Sequence, residues 1–387
     1  MFIDIACAQL RKHKQNACGD YFISQRIPEE NRLLAVLSDG LGSGIKASIL
    51  ANMTATMLLR SLEKNIEIKK AAEIMLHSLP VCKVRGISYA TFSALDCAED
   101  GQVSVVEEGN PDFLLLRGTK LAPVEHKEIV SAAFPNRKLK FYQFQAGLDD
   151  RLIFCSDGVT QAGLGDNPAY PRGFGQDGLL DKITNCLTAA PTLSSAELAQ
   201  IIAQSAAEVE PHSLPQDDIS ACVVYFRNPR EALLFTGPPY AQEKDAYYAI
   251  IFDEFAGPKA ICGGTTANII SRELDRPVST PPAQHSGSLP PVSSMPGVAL
   301  ITEGILTLTR ALEYLEKDKF AEKDAAGQLV DFILRTDILS VMLGAKVNQA
   351  HYDPALPIEI EIRRNVVKKI AAVLQSKYFK KVEIQYI

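Results

Sequence analysis

Four aspartates offer the plainest chemistry in this 387-residue chain. Asp20 sits in Gly19-Asp20, and Asp39 in Ser38-Asp39-Gly40-Leu41-Gly42-Ser43-Gly44. Asp157 sits in Ser156-Asp157-Gly158, and Asp217 in Gln216-Asp217-Asp218-Ile219-Ser220. Hard divalent cations such as Mg²⁺ and Mn²⁺ take oxygen ligands, commonly a few carboxylates with waters completing the shell. Two of the Asp-Gly pairs come just after apolar runs, LLAVL and RLIFC, so their carboxylates would be aimed into a common space at sheet ends. Glycine beside each lets the backbone come close enough for a carbonyl to serve as a further ligand. Any one Asp-Gly is better explained as a turn dipeptide. The set of four, in this order, is what points to a metal centre.

The elements that must position these groups can be read from hydrophobic periodicity. Residues 2–9, 20–25, 33–38, 89–95, 103–108, 113–117, 152–155 and 222–226 are short, rich in β-branched or aromatic residues, and ended by turn formers, as strands are. Residues 45–64 place Ile49, Met53, Met57 and Leu58 at helical spacing; residues 68–79 do the same with Ala72, Met75, Leu76 and Leu79, and 196–208 form a third helix. Strands grouped around a pair of long helices, without strict βαβ alternation, predict an α+β sandwich of antiparallel sheets over residues 1–228.

The segments CGDYF, LAVLSDGLGSGIKA, SYATFSALD, VVEEGNPDFLLLRG, DRLIFCSDGVTQAG and PQDDISACVVYF, in that order, resemble the stage II sporulation protein E family of PP2C-type (PPM) metal-dependent serine/threonine protein phosphatases. The resemblance implies two ions, Mn²⁺ or Mg²⁺. Asp20 would bind one, Asp39 would bridge both with the Gly40 carbonyl completing a site, and Asp157 and Asp217 would hold the other. Asp218 stands where eukaryotic relatives carry Asn and would lie behind the ligands, although a one-residue slip exchanges it with Asp217. Ions about 3.5–4 Å apart would lower the pKa of a water that attacks phosphorus in line with the departing Ser or Thr oxygen. No covalent phosphoenzyme is required. A cysteine-dependent phosphatase would need Cys-x₅-Arg, whereas Cys155 is followed at that spacing by Gln161 and Cys82 by Ser88.

Other candidates are weaker. Gly42 and Gly44 would bring the amino end of helix 45–64 toward a phosphate, but packing of helix on strand explains them as well. Arg11 and His13, in the polar turn before Asp20, would meet the substrate phosphate or move a proton; solvated turn charges are the plainer explanation. His77, within an apolar helical pattern, reads as structural.

Residues 229–387 read as a separate, smaller α/β domain, regulatory or ligand-binding, its expected strands being 246–252, 259–262, 298–302, 339–343 and 381–386 and its helices 267–274, 305–316, 325–334 and 363–376. Residues 277–297, rich in Pro and Ser, form a long loop. Gly263-Gly264-Thr265-Thr266 between strand and helix would suit an anion, with Glu303 at the mouth of a second such turn and Asp253 ending another strand. It is neither a Walker A nor a G-x-G-x-x-G motif, and a simple Thr-containing turn explains it too. Since the catalytic pattern begins at residue 2, regulation is expected from residues 229–387 or from a partner.

A net charge of −6 argues against a general nucleic-acid binder. There is neither a secretory signal pattern nor an apolar run long enough to span a bilayer, so no membrane contact is expected. Eight scattered cysteines, none in C-x-x-C, suit buried reduced thiols and a cytoplasmic setting. The expected substrate is a phosphorylated protein in bacterial signalling, with a small ligand or regulator at the C-terminal domain and homodimerisation left open. Two rivals stand beside it: a low-activity scaffold controlled by that domain, and a phosphatase of small metabolites.

Overall fold

The computed structural model describes residues 1–78, 90–131, 134–281, 289–319, 323–344 and 356–387. Leu79, Cys82, Ser88 and Tyr89 lie outside them. The chain divides into two compact units, Met1–Asn228 and Pro229–Ile387.

The first unit contains strands β1 (Phe2–Leu10), β2 (Asp20–Ile27) and β3 (Arg32–Gly40), helices α1 (Ile45–Glu63) and α2 (Ile68–Ser78), and strands β4 (Ala90–Ala98), β5 (Gln102–Glu108), β6 (Leu114–Arg117), β7 (Lys120–Leu121), β8 (His126–Ser131), β9 (Phe134–Gln145) and β10 (Asp150–Cys155). Helices α3 (Asp157–Thr160), α4 (Gly175–Ala189) and α5 (Ser195–Val209) precede strand β11 (Ile219–Arg227). One antiparallel sheet runs β1-β11-β10-β6-β7, the other β2-β3-β4-β5-β9-β8. This is the α+β sandwich that the strand pattern predicts.

Alternation along each strand explains the layering. In β3, Leu33, Ala35 and Leu37 face the other sheet, meeting Leu152, Phe154 and Val224. Leu34 and Val36 point outward, under Leu58, Leu62 and Met75 of α1 and α2. Helices α4 and α5 cover the far face of the first sheet through Ile183 and Ile202 on Ile153 and Val223. Helix α1 forms where its spacing predicts, but most of the Ile/Met stripe that marks it faces outward. Ile49, Met53 and Met57 are 53%, 54% and 44% exposed, while Ala47, Ala51, Ala55, Leu58 and Leu62 are buried. Small residues let the helix approach the sheet closely, and that face wins over the Ile/Met stripe. Hairpin β8–β9 and helix α4 escape the periodicity reading: β9 carries charge at Lys138 and Lys140, and α4 holds Gly175, Gly178 and Asn185.

The second unit contains β12 (Glu231–Thr236), α6 (Asp245–Glu254), β13 (Lys259–Cys262), α7 (Gly264–Leu274), β14 (Ser293–Met295), β15 (Val298–Thr302), α8 (Ile305–Glu316), α9 (Ala325–Leu334), β16 (Ile338–Leu343), α10 (Leu356–Ser376) and β17 (Lys381–Tyr386). Strands β15-β13-β12-β16-β17 are all parallel, and β14 adds antiparallel to the β15 edge. Helices α6 and α7 pack on one face and α8, α9 and α10 on the other, which makes a doubly wound sheet. The segment 246–252, expected as a strand, lies in α6. Its aromatic and β-branched residues imitate a strand, but Ala249 and Phe252 are buried while Tyr247 and Ile250 are 59% and 52% exposed, a helical period. The strand is Glu231–Thr236 instead. Asp253 therefore lies in the last turn of a helix, where both its oxygens accept from Arg276 (2.6 and 2.8 Å), and is not at the sheet edge.

Candidate metal centre

Antiparallel pairing places the start of one strand beside the end of its neighbour. Asp20 opens β2 and pairs in register with Asp39, one residue from the end of β3. In the other sheet, β10 and β11 pair with Cys155 opposite Ala221. Asp157 follows the end of β10, and Asp217 precedes the start of β11. The two pairs meet at one end of the sandwich. Ser220 Oγ donates to the Asp20 carboxylate across the sheets (2.6 Å).

The electrostatics record this convergence. Burial, followed by the charges of Asp20, Asp157 and Asp217, pushes the Asp39 carboxyl up to about 9. Burial, reinforced by Asp218, raises Asp20 to about 7, against the opposing hydrogen bonds from Ser220, Ser156 and Asp39. Burial and then the charge of Asp217 raise Asp157. Asp39 is within hydrogen-bonding reach of both Asp20 and Asp157. Crowded, half-buried carboxylates that hold their protons are a poor arrangement without cations and a good one with them.

Asp217 and Asp218 diverge. Asp218 is buried, and its oxygens accept from the main-chain N–H groups of Lys12 (2.9 Å) and Gly19 (2.8 Å), so it ties the β1–β2 turn to the start of β11. Asp217 is exposed beside Asp157, with Lys12 Nζ 3.8 Å away. Two glycines allow the close packing. A Cβ on Gly158 would stand 2.1 Å from the Asp218 carbonyl oxygen, and one on Gly40 2.1 Å from that of Ala47.

Arg11 and His13 are exposed on the wall of a cleft of about 490 Å³ that Lys12, Lys14 and Gln15 also line. Arg11 donates to the Asn16 carbonyl (3.1 Å), and the His13 main chain is tied to Pro215. Gly42 and Gly44 both have positive φ, and Gly44 is the N-cap of α1. Gly263, Gly264, Thr265, Thr266 and Glu303 belong to the second unit.

The donor set is all oxygen and suits Mg²⁺ or Mn²⁺. Among the described residues, no three His, Cys, Asp or Glu side chains are disposed as ligands of one ion. Mg²⁺ is often held by only one or two carboxylates with water filling the rest of its shell. Three supporting groups went unremarked in the sequence: Lys12; Ser220, inside the QDDIS motif; and Gln161, which donates to Asp157 (2.9 Å). Gln161 follows Asp157 by four residues, the spacing that brings side chains together on a helical turn.

The model of the stage II sporulation protein E family matches residues 29–227, more than half of the chain. The chain belongs to that family, among the PP2C-type phosphatases. The match includes Asp39, Asp157, Asp217 and Asp218; Asp20 precedes it. Similar solved structures include the PP2C phosphatase domain with a fragment of the regulatory domain of SpoIIE from Bacillus subtilis, at 19% identity over 58% of this chain and 63% of that one, TM-score 0.49. The chain thus spans less than two thirds of that structure. The RsbU and RsbW domains of Rv1364c from Mycobacterium tuberculosis match at 19% identity over 65% and 67%, TM-score 0.46. RsbX in complex with magnesium matches at 18% over 57% and 94%, TM-score 0.39. A comparison with curated proteins finds no match. Among the described residues, no helix is long and apolar enough to cross a membrane.

Proposed function

We propose that residues 1–228 act as a divalent-metal-dependent phosphatase of phosphoserine and phosphothreonine in proteins, in a bacterial cytoplasmic signalling circuit. The observation that carries this reading is Asp39, whose carboxyl is held up near 9 by burial and by three other carboxylates from separate strand ends. Asp20, Asp39, Asp157 and Asp217 would hold Mn²⁺ or Mg²⁺, with the Gly40 carbonyl beside Asp39. Bound there, the ions would supply an activated water and charge neutralisation on the phosphoryl oxygens. The chain's own residues set the stage for this. Ser220 and Gln161 hold the Asp20 and Asp157 carboxylates in orientation. Asp218 fixes the turn that carries Lys12, whose ammonium stands at the exposed mouth beside Asp217. Arg11, His13 and Lys14 make the adjoining cleft a basic approach for a phosphorylated segment.

A second reading has its own support. The carboxylates converge without three of them surrounding one point, as suits a phosphatase of low activity that needs a partner, or a ligand of residues 229–387, to draw the ligands together. Phosphate release from a phosphoserine peptide with Mn²⁺, measured on the full chain and on residues 1–228, separates the two readings. Turnover by both supports an autonomous enzyme; turnover by neither, with Mn²⁺ or Mg²⁺, would favour the scaffold.

A further inference from the structure

The second unit carries a crevice that the phosphatase chemistry does not use. Counted along the chain, its parallel strands β12, β13, β15, β16 and β17 are arranged 3-2-1-4-5, so successive connections leave in opposite directions from β12 and β16. In open sheets of this kind ligands bind beyond the carboxyl ends of the strands, next to that reversal. Four of these five strand ends are followed closely by glycine: Gly237 after β12, Gly263 after β13, Gly304 two residues after β15 and Gly344 after β16. The backbones of Gly237 and Gly344 approach so closely that a Cβ on Gly344 would stand 2.2 Å from the Gly237 carbonyl oxygen.

Three groups meet at this edge. The first is the amino end of the eleven-residue helix α7, capped by Gly263, which offers no side chain to its N–H groups. At the neighbouring helix α8, by contrast, Glu303 already accepts from the Leu306 N–H (3.2 Å). The second group is Thr266 in the first turn of α7. It is fully buried, and its hydroxyl has no hydrogen-bond partner among the described residues. That oxygen lies 3.4 Å from the point where a side chain on Gly263 would begin, so it faces the mouth of the turn. A buried hydroxyl without a partner costs free energy unless something arrives to satisfy it. The third is Arg363 of α10. Its guanidinium lies 3.0 Å from the corresponding point on Gly237 and 3.7 Å from that on Gly304, and the latter point is 3.5 Å from Gly263 Cα. Arginine and the α7 cap therefore face each other across a gap that a phosphate group would span.

We infer that the second unit binds a phosphate group at this edge, held by the N–H groups of the α7 amino end, the Thr266 hydroxyl and the Arg363 guanidinium. Each contact follows from anion chemistry: helix amino ends carry partial positive charge, and guanidinium matches phosphate oxygens in a bidentate manner. The phosphate would be inorganic phosphate or part of a small organic phosphate.

The test is calorimetric titration of the full chain in EDTA, which removes divalent ions, with inorganic phosphate and separately with AMP. Saturable binding of either is expected. Thr266→Val, which keeps the shape and removes the hydroxyl, should weaken it about tenfold, and Arg363→Ala by at least as much. An unchanged far-UV circular dichroism spectrum and thermal unfolding profile would check that the Thr266→Val chain remains folded in both units. AMP binding tenfold or more tighter than phosphate would assign the site to organic phosphates; equal or weaker binding would assign it to the free ion. The inference is overturned by no saturable binding of either probe up to millimolar concentration. Binding left unchanged by Thr266→Val would overturn it too.

Discussion

Asp218 shows how neighbouring acids in one motif take different work. Its two oxygens are already occupied by the main-chain N–H groups of Lys12 and Gly19, so its contribution is to fold the turn that precedes Asp20. Asp218→Ala should therefore cost about 1–3 kcal/mol of stability by leaving two donors unpaired, read as a lower melting temperature in EDTA. A variant that melts with the wild type would contradict the anchoring role. Asp217 and Asp218 are indistinguishable in sequence, because the choice depends on contacts from residues 12 and 19, some two hundred positions away. Asp39 and Asp157 stand out in the sequence because each is joined to glycine just after an apolar run.

Glu107 provides a second prediction at this scale. Burial above all, and then the charge of Asp112, push its carboxyl up to about 8, against opposing contacts with Ser93, Phe113 and Lys140. The folded chain keeps this proton where the unfolded chain, titrating in the ordinary carboxylate range, has released it. Its contribution to stability therefore falls as pH rises from that range to about 8 and is level above it, the cost being largest at alkaline pH. Glu107→Gln should flatten the decline and raise the melting temperature at pH 9 more than at pH 5. Equal shifts at both pH values would contradict the protonated assignment.

At the scale of elements, the site depends on turns without room for a side chain. Gly158, the second residue of α3, packs against the Asp218 carbonyl oxygen, 2.1 Å from where a methyl group would go. Gly158→Ala must displace the backbone that carries Asp157, so it should destabilise the fold and also weaken Mn²⁺-dependent turnover at least tenfold. Full activity with ordinary stability would show that the turn has slack. Sequence periodicity locates the strands that lead to Asp39 and Asp157 because they are apolar on both faces. It misread segment 246–252, whose aromatic residues suit either state until burial decides. It passed over β8 and β9, whose charged alternation marks a half-solvated hairpin. The buried face of α1 leaves less trace than its helical spacing does, since alanines give little periodic signal beside Ile and Met.

At the scale of the molecule, each unit owns its apolar layers: a sandwich with helices outside both sheets in Met1–Asn228, and a doubly wound sheet in Pro229–Ile387. A shift of polarity and a turn at Asn228-Pro229 are visible in sequence. The parallel order of the second sheet is not, because one strand was assigned to the wrong segment and strand order leaves no local trace. What the first unit's architecture accomplishes is to bring carboxylates from residues 20 to 217 to one end of a rigid sandwich. The direct measurement is a crystal of the full chain soaked in Mn²⁺ and examined by anomalous scattering at the manganese edge. Peaks bounded by the carboxylates of Asp20, Asp39, Asp157 and Asp217, absent from Asp39→Asn crystals, are predicted. Manganese bound elsewhere, or no peak among these four side chains at millimolar metal, would contradict the account.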